Sequence, residues 1–220
     1  MIITVDGPAG AGKGTISAHV AKTFKLAYFD TGMVYRAVGL QMVLSGYALE
    51  DKQKALELAE NMTFPQMMAL AKHKDFRSDI GSHAASVISA YPEVRAALLK
   101  MQRDFALNPV FADGTPADGV IYDGRDTGTV ICPEADVKFF VTAPVEIRAQ
   151  RRHKDYVIAG IDTTYETVLA EMKKRDERDQ NRASAPLKPA PDAVMFDTSL
   201  DSEPNNLAKV VEIIKQKLNL

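Results

Sequence analysis

Ile2-Ile3-Thr4-Val5-Asp6-Gly7-Pro8-Ala9-Gly10-Ala11-Gly12-Lys13-Gly14-Thr15 opens the chain, and its reading decides the fold. A short β-branched run ends in a glycine-rich turn, and Ile16, Val20 and Phe24 then recur at fourfold spacing, the stripe of an amphipathic helix over residues 14–24. Strand, small-residue loop, lysine and helix in that order form a phosphate cradle. Backbone N–H groups curl around phosphate oxygens, the helix N-terminus adds its positive end, and Lys13 supplies a charge for the outer phosphates. A glycine turn that merely joins strand to helix explains neither the lysine nor its spacing. The strict pattern has Ser or Thr directly after the lysine, whereas here Gly14 intervenes and Thr15 follows, so Thr15 is the candidate to meet Mg²⁺, directly or through water.

Working outward, further apolar runs lie at Ala27–Asp30, Val120–Asp123, Val137–Val141 and Ala193–Asp197, with helical patterns between them. The last helix is clear: Leu207, Val210, Val211, Ile214 and Leu218 share a face after Pro204. Strands alternating with helices predict an α/β fold, a parallel sheet flanked by helices. Residues 47–107 break the alternation. They read as a helical insertion, with a helix starting at Pro92. Asn108 to Gly119 reads as surface turns.

The 220 residues hold 46% hydrophobic and 25% charged side chains, enough for a packed core, which excludes disorder. A net charge of −2 leaves no field for tracking nucleic acid. Cys132 is the only cysteine, so neither a disulfide nor a thiolate metal centre can form within the chain. His19, His73, His83 and His153 show no metal-binding spacing. No basic leader and no membrane-length apolar stretch is evident, and the chain is expected to be a soluble cytoplasmic monomer without nucleic-acid or membrane partners.

A phosphate loop serves many activities, so an acceptor must be argued separately. Arg36 follows the second strand and Arg125 the third. In parallel sheets ligands sit beyond the carboxyl ends of strands, and two planar guanidinium forks suit a second phosphate. Arg175, Arg178, Asp179 and Arg182 share one helical face, while Asp176 and Glu177 turn away. That face could neutralise polyphosphate with Asp179 accepting from a sugar hydroxyl, or could be a solvated face with local ion pairs. Arg148, Arg151 and Arg152 also share a face, either a lid over ATP or a basic surface stripe.

Asp6 to Thr15, Asp30-Thr31-Gly32 with Tyr35-Arg36, Ala85-Ser86, Pro92 to Arg95, Gln102-Arg103, Asp123 to Asp126 with Gly128-Thr129, and Arg175 to Arg182 through Ala185-Pro186-Leu187 together resemble the bacterial cytidylate kinases, in that family's order and over nearly the whole chain. The resemblance implies a phosphate-loop kinase fold with a five-stranded parallel sheet, a core of residues 1–36, 108–147 and 183–220, a nucleoside-monophosphate insertion at 37–107 and a lid at 148–182. It implies transfer of the γ-phosphoryl group of Mg²⁺-ATP to CMP or dCMP. Gly7, Pro8, Ala9, Gly10, Ala11, Gly12, Lys13, Gly14 and Thr15 would then hold ATP, with the lid arginines Arg148, Arg151 and Arg152. Thr31, Arg36, Ser86, Arg95, Arg125, Asp126, Arg175, Asp179 and Arg182 would hold CMP, and Lys13, Arg125 and Arg182 would be catalytic.

Ser86, Arg95 and Asp126 would read the cytosine edge, because an amino donor at N4 suits a carboxylate or hydroxyl and the N3 and O2 acceptors suit arginine. A kinase acting on UMP or AMP is the nearest alternative. A guanine-nucleotide switch is another, although no Asn-Lys-x-Asp tetrad occurs. The family usually carries a small antiparallel sheet in its insertion. Residues 64–77 read instead as helix plus turn, and that hairpin is expected to be lost or reduced.

Overall fold

The computed structural model describes residues 1–220. Contacts group the chain into two compact units, one of residues 1–29 and 108–220, the other of residues 30–107.

The first unit is built on strands β1 (Ile2–Asp6), β2 (Ala27–Asp30, whose last residue opens the second unit), β3 (Val120–Gly124), β4 (Val137–Thr142) and β5 (Val194–Asp197). They form one parallel sheet in the order β2-β3-β1-β4-β5. The central strand has neighbours on both edges and helices on the faces, which is why residues 3–6 are all buried, Thr4 and Asp6 included. Helices α1 (Lys13–Phe24) and α9 (Glu203–Leu218) cover one face. Ile16 and Val20 of α1, with Val210 and Ile214 of α9, pack into a core with Ile3, Val5, Phe139 and Val141. The periodicity in the sequence locates both helices, α1 starting at Lys13, one residue before the position expected.

In register, Asp6 of β1 stands opposite Gly124 of β3. The segments that follow these two residues therefore leave the sheet side by side. After β3 comes a short π-helical turn, Thr127–Ile131, for which the sequence carries no period-based signal. Helices α7 (Val145–Ile158) and α8 (Tyr165–Asn181) complete this unit and pack on each other through Ala149, Val168 and Met172. Thr164 starts α8 by accepting from the Thr167 N–H, a side-chain cap. Residues 108–119 form a turn in which the Phe111 N–H donates to the Thr115 carbonyl at 2.8 Å.

The second unit is helical: α2 (Gly32–Leu44), α3 (Lys52–Asn61), α4 (Phe64–Leu70), α5 (Asp79–Ile88) and α6 (Pro92–Leu107). No strand lies between Asp30 and Val120. Thr63 explains why residues 64–70 coil: its hydroxyl accepts from the Gln66 N–H, and the Gln66 carboxamide accepts from the Thr63 N–H, a reciprocal box completed by Pro65 in the first turn. No helix is long and apolar enough to cross a membrane.

Candidate functional site

The loop after β1 is shaped by what cannot be present. A Cβ on Gly7 would stand 1.9 Å from the Val141 carbonyl oxygen, so only glycine lets the chain turn there. Gly12 caps α1 at φ 90, a left-handed conformation, and leaves the first turn of the helix without an acidic side chain. Lys13 is buried, and its Nζ donates to the Pro8 carbonyl at 3.1 Å while lying 3.8 Å from Asp123 Oδ1. Thr15 is exposed on the first turn of α1. The geometry is that of an anion cradle with one flexible cation.

Two elements brace the loop from behind. Arg148, on α7, donates through Nη1 to the Ala9 carbonyl at 3.1 Å and through Nε to the Ala143 carbonyl at 2.8 Å. The same guanidinium grips Asp176 of α8 bidentately, at 3.2 and 2.6 Å. Thr198, just beyond β5, donates to the Ala11 carbonyl at 3.0 Å and is itself held by Arg151 through two hydrogen bonds of 2.9 Å. Arg152 lies against Tyr156, 4.6 Å from the ring centroid. The three arginines expected on one lid face thus diverge: two are committed to the loop's scaffold, and the third packs along its own helix. Periodicity could not separate these fates, because it does not say which neighbour a helix face meets.

The turn after β3 gathers a second cluster. Arg125 donates through Nε to Asp179 Oδ2 at 2.9 Å and through Nη1 to the Gly124 carbonyl at 3.0 Å. Burial works against charge on Asp179, but Arg125, Arg175 and Arg182 outweigh it and hold the carboxyl below its usual range. Burial likewise opposes the charge on Arg125, and Asp179, Asp123 and Asp6 overcome it, so the guanidinium stays charged. Arg182 caps the end of α8, its Nη2 3.4 Å from Asp126 Oδ1 and its Nε donating to the Ala185 carbonyl at 2.6 Å. Arg178 is exposed. Arg125, Asp126, Asp179 and Arg182 therefore come together, with Arg175 in electrostatic reach of Asp179.

Asp6 ties this cluster to the sheet. Only 3% exposed, its carboxylate accepts from the Thr127 N–H, the Thr127 hydroxyl and the Gly128 N–H, each at 2.8 Å. Burial is the dominant influence and raises its pKa to about 6, against the lowering effect of the three donors, while Asp126 adds a further upward push.

In the second unit, the Asp30 carboxylate accepts from the Gly32 N–H at 2.9 Å and sets the turn that leads through Thr31 into α2. Arg36 Nη2 reaches the Ser82 hydroxyl at 3.4 Å. Arg95 is buried, lies 5.2 Å from the Tyr35 ring centroid and donates to the Ser89 carbonyl at 3.2 Å. Ser86 is half-buried one turn beyond Ser82 on α5.

Sequence reasoning missed Asp6, Asp123, Asp176, Thr198 and Ser82 as working residues. Asp6 and Asp123 each lie at the end of a β-strand, the positions from which a side chain reaches the ligand end of a parallel sheet, and that signal was available. Asp176 and Thr198 act on the loop from far along the chain, and no local pattern marks them.

The model of the cytidylate kinase family matches residues 3–216. A cytidylate kinase from Rhodospirillum rubrum is 45% identical over 217 residues, covering 99% of this chain and 98% of that one. One from Paramagnetospirillum magneticum is 47% identical over 203 residues, 92% of each. Among solved structures, shikimate kinase from Bacteroides thetaiotaomicron shares the fold at a TM-score of 0.50 and 14% identity, covering 100% of this chain and 99% of that one. On the match from residue 3 to residue 216 and on relatives of this similarity, the chain belongs to the cytidylate kinase family.

Proposed function

We propose that this protein transfers the γ-phosphoryl group of ATP, with Mg²⁺, to the α-phosphate of CMP or dCMP. The observation that carries the reading is the register of β1 and β3: Asp6 opposite Gly124 makes the phosphate loop and Arg125 emerge next to each other. A donor-phosphate cradle and a charged acceptor arginine at adjacent strand ends suit in-line transfer between two anions. The family match supports cytidine as the base.

The donor set fits Mg²⁺ as a partner of phosphates. It offers the Thr15 hydroxyl and the Asp123 carboxylate, and no group of three or more His, Cys, Asp or Glu side chains that could hold a metal by itself. When bound, the ion would be held by the Thr15 hydroxyl and the Asp123 carboxylate and would supply neutralisation of the phosphate charge. The chain's own work is positioning. Gly7 to Thr15 hold the ATP phosphates, with Lys13 at the outer ones. Arg125 holds the acceptor phosphate with Arg182 close by, and Arg175 and Asp179 take the sugar. No general base is required, because the attacking phosphate oxygen is already an anion near neutral pH; orientation and charge cancellation carry the rate.

On the second unit, Arg36 is assigned to the acceptor phosphate and Thr31, Ser86 and Arg95 to CMP; on the first, Asp126 is assigned to the base. Uracil presents O4 where cytosine has an amine, so a carboxylate or hydroxyl aimed there loses a partner, a difference worth about 1–3 kcal/mol. A coupled assay of ADP release across CMP, dCMP, UMP and AMP tests the reading. CMP and dCMP should lead, and a preference for UMP or AMP would replace cytidine as the acceptor.

A further inference from the structure

The hydroxyl missing at position 14 of the phosphate loop has a substitute on β2, the strand next but one to β1 in the sheet. Gly14 stands where a strict loop carries Ser or Thr, so no side-chain oxygen issues from that position. A Cβ built there would meet two polar atoms, Asp123 Oδ2 at 3.6 Å and the Tyr28 hydroxyl at 3.7 Å, both at ordinary contact distance. Those two atoms are joined to each other: the Tyr28 hydroxyl donates to Asp123 Oδ2 at 3.2 Å. Tyr28 lies on β2 between buried Ala27 and Phe29, and is itself 40% exposed, yet its hydroxyl reaches inward to this carboxylate.

The other oxygen of Asp123 faces Lys13 at 3.8 Å, within ion-pair range but beyond a direct hydrogen bond. The two side chains are 13% and 7% exposed. In so enclosed a place, a carboxylate able to rotate would close on the ammonium to a charge-assisted contact of about 2.8 Å. It would then compete with ATP for the cation on which the outer phosphates depend. A hydrogen bond to Oδ2 fixes the plane of the carboxylate and opposes that closure.

We infer that Tyr28 is a positioning residue for the donor nucleotide: its hydroxyl takes the place left vacant at Gly14 and holds Asp123 so that Lys13 remains available to phosphate oxygens. No metal is required for this role. The inference rests on the reading of Gly7 to Thr15 as the ATP cradle, and deepens it by assigning a hydroxyl to the place beside Gly14, a position with no side-chain oxygen of its own. The substitution is also reversible in principle. Gly14 has no left-handed φ, and its surroundings admit a Cβ, so a serine Oγ at that position would come within reach of Asp123.

The test compares wild type, Tyr28→Phe and the double variant Gly14→Ser, Tyr28→Phe. Calorimetry with ATP in EDTA reads nucleotide affinity free of metal and of turnover. Steady-state assays read KM for ATP and for CMP separately, and thermal melting reads stability. Tyr28→Phe should weaken ATP binding about tenfold, the scale of one hydrogen bond to a charged group, and raise KM for ATP in parallel. KM for CMP and the melting temperature should stay at wild-type values. The double variant should recover most of the lost affinity. Wild-type ATP affinity in Tyr28→Phe would overturn the inference, as would an equal rise in both KM values accompanied by a drop in melting temperature, the mark of a merely structural role. An impaired single variant that serine at position 14 fails to rescue would overturn the equivalence of the two hydroxyls. Wild-type protein that binds ATP but makes no CDP would contradict the proposed function, while the affinity comparison would still decide the role of Tyr28.

Discussion

Arg125 Nε donates to Asp179 Oδ2 at 2.9 Å and so joins the turn after β3 to the last coils of α8. Each group is kept ionised by the other against the cost of burial. Replacing Arg125 with Ala should lower kcat by about a thousandfold, the scale for losing one donor aimed at transition-state charge. Circular dichroism should remain native, because Arg175 and Arg182 still face Asp179. Unaltered turnover would remove Arg125 from the catalytic set.

Asp6 makes stability depend on pH in a direction that can be worked out. Its pKa is raised from 3.8 to about 6 in the folded protein, so the folded state favours the protonated form. The contribution is fully present below pH 3.8 and is lost as pH rises through about 6. A rise of that size corresponds to about 3 kcal/mol. Asp6→Asn removes the titration, so the unfolding free energy of wild type relative to this variant should fall by most of that amount between about pH 4 and pH 7. Urea unfolding at the two pH values measures it. A gap that does not change with pH would contradict the burial of Asp6 as the dominant influence.

Arg148 and Asp176, with side chains 6% and 14% exposed, form a bidentate pair behind the phosphate loop. Asp176→Asn leaves the Arg148 guanidinium without its countercharge, which typically costs about 3–5 kcal/mol when one partner of a buried pair is removed. The melting temperature should fall and KM for ATP should rise, since Arg148 also holds the Ala9 carbonyl. KM for CMP should change little. An unchanged KM for ATP would show that the brace has no bearing on the donor site.

Thr63 decides the character of residues 64–70. Thr63→Ala removes the hydroxyl that accepts from Gln66 N–H and should cost about 1 kcal/mol of stability by denaturant titration. A neutral result would mean that packing alone holds α4.

The glycine loop, the parallel sheet and the charged face of α8 were legible because each has a local signature. Gly7 marks a close approach that leaves no room for a Cβ and Gly12 a left-handed turn that favours glycine, and the alternation of apolar runs with amphipathic stripes marks strands and helices. The face shared by Arg175, Asp179 and Arg182 followed from 3.6-residue geometry, and the structure places Asp179 on Arg125. Less legible was the fate of Arg148 and Arg151. Their partners, Asp176 and Thr198, lie 28 and 47 residues away along the chain. Helical spacing could give them a common face but not the buried neighbours that turn them into braces. The π-helical turn at Thr127–Ile131 was hidden for a related reason. It is held by Asp6, which is 121 residues distant from Thr127.

The most direct measurement follows CDP and ADP together when the protein is given ATP, Mg²⁺ and CMP. Phosphoryl transfer between two bound anions requires CDP to appear mole for mole with ADP, and ADP to stay near background when CMP is omitted. Release of ADP at the same rate with or without CMP, and no CDP, would contradict it.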